Sequence, residues 1–235
     1  MPARWDTILA DGADMRCYVA EPTGSGPFPI VIVIQHAGGV DEFVRSMADR
    51  VAEAGFVGIA PDLYHREDPN SGDDPLTRMS HLRDASIIID VNCAIEHAKA
   101  FANARADRLG ITGFCMGGRV TYLMTTQRSD LRAAVVFYGG NIMRSWGESA
   151  TPFELTDRIT APMLGLFGAD DGNPKQEDVA KLDAELTRLG KVHEFHSYAG
   201  AGHGFMGAGR PSYREDAASK AWDRCTAWFD KYLYP

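Results

Sequence analysis

The sequence has little that would suit a membrane protein or a nucleic-acid-binding protein. Its longest apolar run, residues 30–34, is far too short to span a bilayer, and the first residues contain no apolar signal core. No basic run is present and the net charge is −8, which argues against a nucleic-acid surface. We therefore expect neither a membrane nor a nucleic acid as a partner.

Cysteine is also scarce. Four cysteines are spread widely along the chain, at Cys17, Cys93, Cys115 and Cys225. Without a secretory signal this spacing favours free thiols in a reducing cytoplasm over a disulfide framework. The close cysteine pairs of a zinc site are missing as well. We expect a cytoplasmic protein that has no metal and no cofactor.

The residues that are present predict one α/β domain over residues 1–235. Apolar residues make up 45% and charged residues 24% of the chain, as in ordinary globular proteins. Short β-rich runs alternate with helical periods, which predicts a mostly parallel, doubly wound sheet with helices on both faces. Residues 76–102 read as one long helix after a polar loop at 65–75. Residues 139–160 show no clear period and are expected to form a functional loop.

The central motif is Gly-x-Cys-x-Gly at residues 113–117, between a predicted strand and a predicted helix. This is the nucleophile-elbow pattern with cysteine in the serine position. A strand that turns at once into a helix strains the middle residue, and only small residues at Gly113 and Gly117 avoid a clash. The thiol of Cys115 then lies at a helix N-terminus, whose dipole favours the thiolate. Taken alone, a buried cysteine in a glycine-rich turn explains the motif equally well.

Two later loops supply the partners that such a nucleophile needs, in the order nucleophile, acid, histidine. A strand at 163–167 ends in Gly-Ala-Asp-Asp-Gly, and a strand at 192–198 is followed by a glycine-rich loop containing His203. We expect His203 to take the proton of Cys115 or to hold the thiolate as an ion pair. Asp171 is the favoured acid because it completes a Gly-x-x-Asp spacing. Asp170 remains open.

A fourth strand end, at Gln35, leads into His36-Ala37-Gly38-Gly39. This run is similar to the His-Gly-Gly-Gly loop of lipases and esterases, which holds a developing oxyanion. The expected donors are the backbone N–H groups of Ala37 and Met116. An ordinary strand–helix turn is the competing interpretation of the two glycines.

These motifs together resemble the dienelactone hydrolase family. The resemblance covers nearly the whole chain and rests on residues 61–64 (Pro-Asp-Leu-Tyr), 113–118 (Gly-Phe-Cys-Met-Gly-Gly), 168–171 and 200–205 (Gly-Ala-Gly-His-Gly-Phe). It implies the α/β-hydrolase fold without a large separate cap domain, and a Cys115-His203-Asp171 triad. The implied activity is hydrolysis of an enol-lactone, of the carboxymethylenebutenolidase type.

The chain departs from the family pattern at two places. The archetype has a glutamate that contacts the resting thiol, where this chain has His36. The archetype also binds its substrate's carboxylate with arginines, one of them at the position of Gly207. Arg78, Arg83 and Arg210 are the candidates for a replacement. A lost arginine clamp would weaken the preference for an acidic lactone.

The expected substrate is a small ester or lactone, cleaved through a thioacyl-enzyme on Cys115 by a monomer or small homo-oligomer. Alternatives are a broad carboxylesterase, a thioesterase or a peptidase on the same fold, and a ligand-binding relative without activity. Aromatic and methionine side chains from loops beside the triad suit a small, partly apolar substrate. The pocket candidates are His36, Tyr64, Leu76, Met79, Arg78, Arg83, Tyr138, Ile142, Trp146, Phe205, Met206 and Arg210.

Overall fold

A computed structural model describes residues 2–68 and 70–234, and an eight-stranded sheet forms its centre. The strands are β1 (Ala3–Ala10), β2 (Ala13–Ala20), β3 (Phe28–Ile34), β4 (Val57–Pro61), β5 (Ala104–Phe114), β6 (Leu131–Phe137), β7 (Met163–Gly168) and β8 (His193–Tyr198). Their order in the sheet is β1-β2-β4-β3-β5-β6-β7-β8. Strands β3 to β8 run parallel, and β2 pairs antiparallel with β1 and β4. The prediction of a mostly parallel sheet is confirmed.

Helices cover both faces of this sheet, as predicted. They are α1 (Glu42–Glu53), α2 (Pro75–His81), α3 (Asp84–Lys99), α4 (Met116–Gln127), α5 (Gln176–Arg188) and α6 (Glu215–Leu233), with a 3-10 helix at Phe153–Arg158. Helices α1 and α6 pack on one face, and α3, α4 and α5 pack on the other. Buried aliphatic side chains of β3 lie between the two layers, so its continuous apolar run is explained. None of the described helices is long and apolar enough to cross a membrane.

The prediction of one long helix over residues 76–102 is wrong. Two helices, α2 and α3, occupy this stretch, and the backbone between them is extended at Leu82 and Arg83. The break follows from contacts made by Asp84. Its N–H donates to the carbonyl of Trp146, and its carboxylate binds Arg119. Because these partners are distant in sequence, local periodicity could not reveal the break.

The loops that follow β3, β5, β7 and β8 meet at one edge of the sheet, since parallel strands end on the same side. This is the edge at which open α/β sheets bind their ligands. Helix α2 and the segment 139–149 lie over the same edge, and residues of both line the cavity found there. Within the described residues no helices assemble into a separate cap.

Candidate active site

Cys115 lies at a sharp turn between β5 and α4. Its backbone is left-handed, with φ 60° and ψ −119°, a conformation that costs a non-glycine residue energy. A Cβ atom at Gly113 would overlap the carbonyl of Gly117, and one at Gly117 would overlap the carbonyl of Ile34. The turn therefore requires glycine at both positions. The thiol is held at the N-terminus of α4.

Asp171 and His203 form a hydrogen-bonded pair at the ends of β7 and β8. The Nδ1 atom of His203 is 2.9 Å from Oδ2 of Asp171, and the Asp171 carboxylate is almost fully buried. The other carboxylate oxygen accepts the backbone N–H of Asn173 at 2.8 Å. The neighbouring Asp170 is exposed to solvent. Of the two aspartates, Asp171 is the one that contacts the imidazole.

The charge environment of His203 favours the protonated ring. Burial by itself lowers the pKa of His203. The hydrogen bond with Asp171, the interaction with Cys115 and the negative charges of both groups act in the opposite direction and raise this pKa to about 10. The imidazolium is therefore stabilised between an acid and a sulfur atom.

Cys115 and His203 line the same two cavities. The larger has a volume of about 440 Å³ and is lined by Ala37, Leu76, Met79, Cys115, Met116, Gly140, Asn141, Asp171, Gly172, Asn173 and His203. The smaller, of about 60 Å³, is lined by His36, Phe43, Cys115, Tyr138, His203, Gly204, Gly207 and Arg210. A wider groove of about 780 Å³ beside α1 and α6 contains none of the three triad candidates. The nucleophile and base candidates thus share a cleft.

The loop after β3 is held rigidly by His36. The Nδ1 atom of His36 accepts the N–H of Gly38 at 3.2 Å, and the carbonyl of His36 accepts the N–H of Gly39 at 3.0 Å. The ring's Nε2 lies 2.9 Å from Oδ2 of Asp41. Since Nδ1 accepts a hydrogen bond, Nε2 carries the proton and donates it to Asp41. His36 therefore orients the loop through a neutral ring.

The backbone N–H groups of Ala37 and Met116 are candidate donors to a substrate oxygen atom. Ala37 and Met116 both line the larger cavity beside Cys115. Over residues 2–68 and 70–234, neither amide donates a hydrogen bond to another protein group. Donors left free next to a nucleophile are available to a bound oxygen atom.

The three candidate arginines lie outside the larger cavity. Arg78 donates to Glu67 at 2.8 Å and stacks on the ring of Tyr64. Arg83 donates to backbone carbonyls beside α2. Arg210 lines the smaller cavity, where one of its Nη atoms lies 3.4 Å from Asp41.

The aromatic candidates and Met206 do not line the larger cavity. Tyr64 is buried, and its hydroxyl donates to the carbonyl of Ala37 at 3.0 Å. Tyr138 packs edge-on against His203 with ring centroids 5.2 Å apart. The remaining three are held elsewhere: Trp146 lies against the guanidinium of Arg119, Phe205 is buried in the core, and Met206 faces the wider groove.

Sequence reasoning missed Asn141 and Asn173, which line the larger cavity together with Gly140 and Gly172. It also missed the buried pair of Arg119 and Asp84, whose guanidinium and carboxylate meet at 2.6 and 2.9 Å. Asn141 has a positive φ of 58°. Asparagine is enriched in that conformation, but a single asparagine in a loop is too weak a signal to place it at a site.

The family model described as "Dienelactone hydrolase family" matches residues 15–233. The chain belongs to the dienelactone hydrolase family. It shares 37% identity with a "Putative carboxymethylenebutenolidase" of Salmonella typhimurium, over 96% of this chain and 86% of the relative. It is also 32% identical to a "Probable 2-oxo-3-(5-oxofuran-2-ylidene)propanoate lactonase" of a Bradyrhizobium species, over 97% of this chain and 94% of the relative.

A solved structure of the dienelactone hydrolase family agrees with these relatives. The crystal structure named as a "Putative Dienelactone Hydrolase" from Klebsiella pneumoniae is 37% identical, covers 98% of this chain and 99% of its own, and superposes with a TM-score of 0.89. The expected α/β-hydrolase fold is therefore confirmed. As a member of the dienelactone hydrolase family, the protein is an enzyme that hydrolyses lactones or esters.

Proposed function

We propose that this enzyme hydrolyses small lactones or esters through a thioacyl intermediate on Cys115, with His203 as the proton carrier and Asp171 as its partner. One observation carries the proposal. Cys115 and His203 line one cavity, and Asp171 is hydrogen-bonded to the far side of the imidazole. Nucleophile, acid and base come from three strand ends, in the chain order found in α/β-hydrolases.

In the first half of the reaction the sulfur of Cys115 attacks the carbonyl carbon of the substrate. The raised pKa of His203 favours an imidazolium, so His203 takes the proton of Cys115 and pairs with the thiolate as the sulfur attacks. The tetrahedral intermediate collapses to a thioester, and the leaving oxygen takes the proton of His203. In a lactone, that oxygen remains attached to the acyl group.

In the second half the now neutral imidazole of His203 takes a proton from water. The resulting hydroxide attacks the thioester carbonyl, and the second tetrahedral intermediate expels the thiolate of Cys115. Acid product and the ion pair of thiolate and imidazolium are formed together, so atoms and charge balance. Asp171 keeps the ring oriented through Nδ1, which leaves Nε2 to carry the proton in both halves.

The N–H groups of Ala37 and Met116 are the donors we assign to the oxyanion. Both line the cavity, and within the part of the chain that the structure describes neither donates to another protein group. Donors of this kind contribute about 3 kcal/mol each to transition-state stabilisation. His36 assists indirectly, because its contacts with Gly38 and Asp41 fix the loop that carries Ala37.

The relatives' names suggest the substrate, and we extend them to this chain as a proposal. They point to an enol-lactone of the carboxymethylenebutenolidase type. A broad carboxylesterase or thioesterase is the second candidate, favoured by the position of Arg78 and Arg83 outside the larger cavity. None of the steps calls for a metal or an organic cofactor. The four free thiols suit a reducing cytoplasm, where we place a monomer or small homo-oligomer.

The test compares Cys115→Ala with Cys93→Ala, a matched loss of a thiol that lies outside the cavity. In stopped-flow mixing with p-nitrophenyl acetate, wild type and Cys93→Ala should release a burst of one p-nitrophenol per site. Mass spectrometry should find the acetyl group on the peptide containing Cys115. Cys115→Ala should show neither. Sustained turnover by Cys115→Ala would rule out the thioacyl mechanism.

A further inference from the structure

The larger cavity is poor in charge, and the charge it holds is negative. Among its described lining residues the ionisable side chains are Cys115, Asp171 and His203, and there is no lysine or arginine. With the thiolate, carboxylate and imidazolium that the mechanism uses, these three groups carry a net charge of −1. An anionic substrate group bound in this cavity would therefore be repelled by this net charge and would lose its hydration.

The arginines on and beside α2 are committed to other partners. The Nε of Arg78 lies 2.8 Å from Glu67, and its guanidinium is 4.1 Å from the ring centre of Tyr64. Arg83 donates to two carbonyls at the start of the extended break, those of Ser80 and Leu82. Neither side chain reaches the lining of the larger cavity. A carboxylate in that cavity would find neither of these guanidinium groups to bind.

The smaller cavity does not offer a carboxylate an alternative binding site. Arg210 lines this cavity, but an Nη atom of Arg210 faces Asp41 at 3.4 Å, so part of its charge is already balanced. The volume of about 60 Å³ is the space of roughly two water molecules. A lactone or ester must therefore place most of its atoms in the cavity of about 440 Å³.

Helix α2 supplies an apolar wall to that larger cavity. Leu76 and Met79 are three residues apart, so they share one face of α2, and both line the cavity. Helix α2 has no buried residue, and Leu76 is 66% exposed. Polar contacts hold the helix instead: Asp74 caps its N-terminus and Arg78 pairs with Glu67. The leucine thus lies at the rim of the site with most of its surface open to a bound molecule.

We propose that the enzyme selects neutral esters or lactones whose apolar acyl group packs on Leu76 and Met79. It disfavours substrates whose acyl group carries a carboxylate. This inference rests on the proposed thioacyl mechanism. Of the two substrate candidates named there, it chooses the neutral ester or lactone over the carboxylated enol-lactone. The apolar wall rewards burial of methylene groups, while the uncompensated negative charge of the cavity penalises an anion. Leu76 and Met79 act as specificity residues and take no part in the bond-making steps.

The experiment uses two esters of equal acyl length, p-nitrophenyl pentanoate and mono-p-nitrophenyl glutarate, with p-nitrophenyl acetate as the short reference. Rates with Cys115→Ala are subtracted, because the glutarate ester also hydrolyses by itself. For wild type we expect kcat/KM to be at least about tenfold higher for the pentanoate than for the glutarate ester.

Two substitutions at Leu76 then test the wall. Leu76→Ser should lower the ratio of kcat/KM for the pentanoate to kcat/KM for the acetate about tenfold. Leu76→Arg should reverse part of the preference by raising kcat/KM for the glutarate ester. Leu9→Ser is the matched control, since Leu9 is 69% exposed on β1 and lines none of the cavities described above. It should leave all three rates unchanged.

Equal or better use of the glutarate ester by wild type would overturn the inference. So would a Leu76→Ser variant whose ratio of pentanoate to acetate equals that of wild type. Failure of the mechanism itself looks different, because Cys115→Ala would then turn over all three esters at the wild-type rate. Thermal unfolding of each variant shows whether the fold is intact, which the exposure of Leu76 leads us to expect.

Discussion

The proposed catalytic residues and the walls of the cavity are held in different ways. Cys115, Asp171 and His203 lie in the turns that follow β5, β7 and β8, so the sheet determines where they meet. The walls are α2 and the segment 139–149, and side-chain ion pairs fix these instead. Arg78 and Glu67 hold α2 from the solvent side. A fully buried pair, Arg119 and Asp84, holds the segment.

The buried pair illustrates how much one wall depends on side chains. Arg119 donates to the carbonyls of Asn141 and Arg144 in addition to its two bonds with Asp84. The segment begins with strained backbone, since φ is 37° at Tyr138 and 58° at Asn141. Such strain persists only where surrounding contacts over-determine it. Substitution of the proposed catalytic residues should therefore cost activity, and loss of the buried ion pair behind the wall should cost stability.

On the catalytic side, we expect the largest effect from Asp171→Asn. An amide can still accept the N–H of Asn173, so the fold should survive, but it no longer enforces the proton on Nδ1 of His203. Loss of the correct tautomer lowers kcat by about 10³–10⁴-fold in triads of this type. Steady-state ester hydrolysis measures the loss, and circular dichroism should show an unchanged fold.

Asp170→Asn is the matched control for that substitution. Asp170 is exposed and adjacent in sequence, and it does not contact the imidazole. Its activity should stay within about twofold of wild type, as for a surface substitution. Equal losses in the two variants would mean that the buried pairing does not assign the acid.

On the wall side, Arg119→Met should destabilise the protein strongly. It removes the cation that pairs with the buried carboxylate of Asp84, which costs about 3–5 kcal/mol in the free energy of unfolding. Denaturant unfolding measures this loss. The matched control is Arg188→Met, because Arg188 is 65% exposed in a pair with Glu185 and its replacement should leave the free energy of unfolding almost unchanged.

A double variant separates the lost ion pair from general damage to the core. Arg119→Met combined with Asp84→Leu removes both charges, so it should recover part of the stability lost in the single variant. Equal stability of Arg119→Met and Arg188→Met would show that the buried pair does not hold the wall.

The same division explains how much the sequence could predict. The elbow is a local pattern, since Gly113, Cys115 and Gly117 are close in the chain and the steric reason for each lies within the turn. The strand ends at β7 and β8 were equally local, because each is a short apolar run followed by turn residues. Order along the chain and the Gly-x-x-Asp spacing favour Asp171 as the partner of His203 and leave Asp170 open.

The walls depend on contacts between residues far apart in sequence, and the predictions failed or were silent there. The break before α3 arises where Asp84 meets Arg119, 35 residues later, and the helical period of residues 76–102 gives no sign of it. The position of Asn141 depends on the same guanidinium. The position of Arg78 outside the larger cavity could not be predicted either, because it depends on Glu67, a carboxylate in the preceding loop.

The smallest effect we expect is a pH dependence of stability on the catalytic side. The folded pKa of His203 is about 10, above the unfolded value of about 6.5, so the folded state binds the proton more tightly. The stabilisation is complete below pH 6.5 and is lost as the pH rises through 10. The side chain of His203 is 38% exposed, so solvent screening limits the effect to about 1 kcal/mol. Denaturant unfolding at pH 6, 8 and 10 should show wild type losing its advantage over His203→Gln, whereas a constant difference would mean that His203 has no raised pKa. Since Cys115 is one cause of the raised pKa, the same comparison made in Cys115→Ala should give a smaller loss.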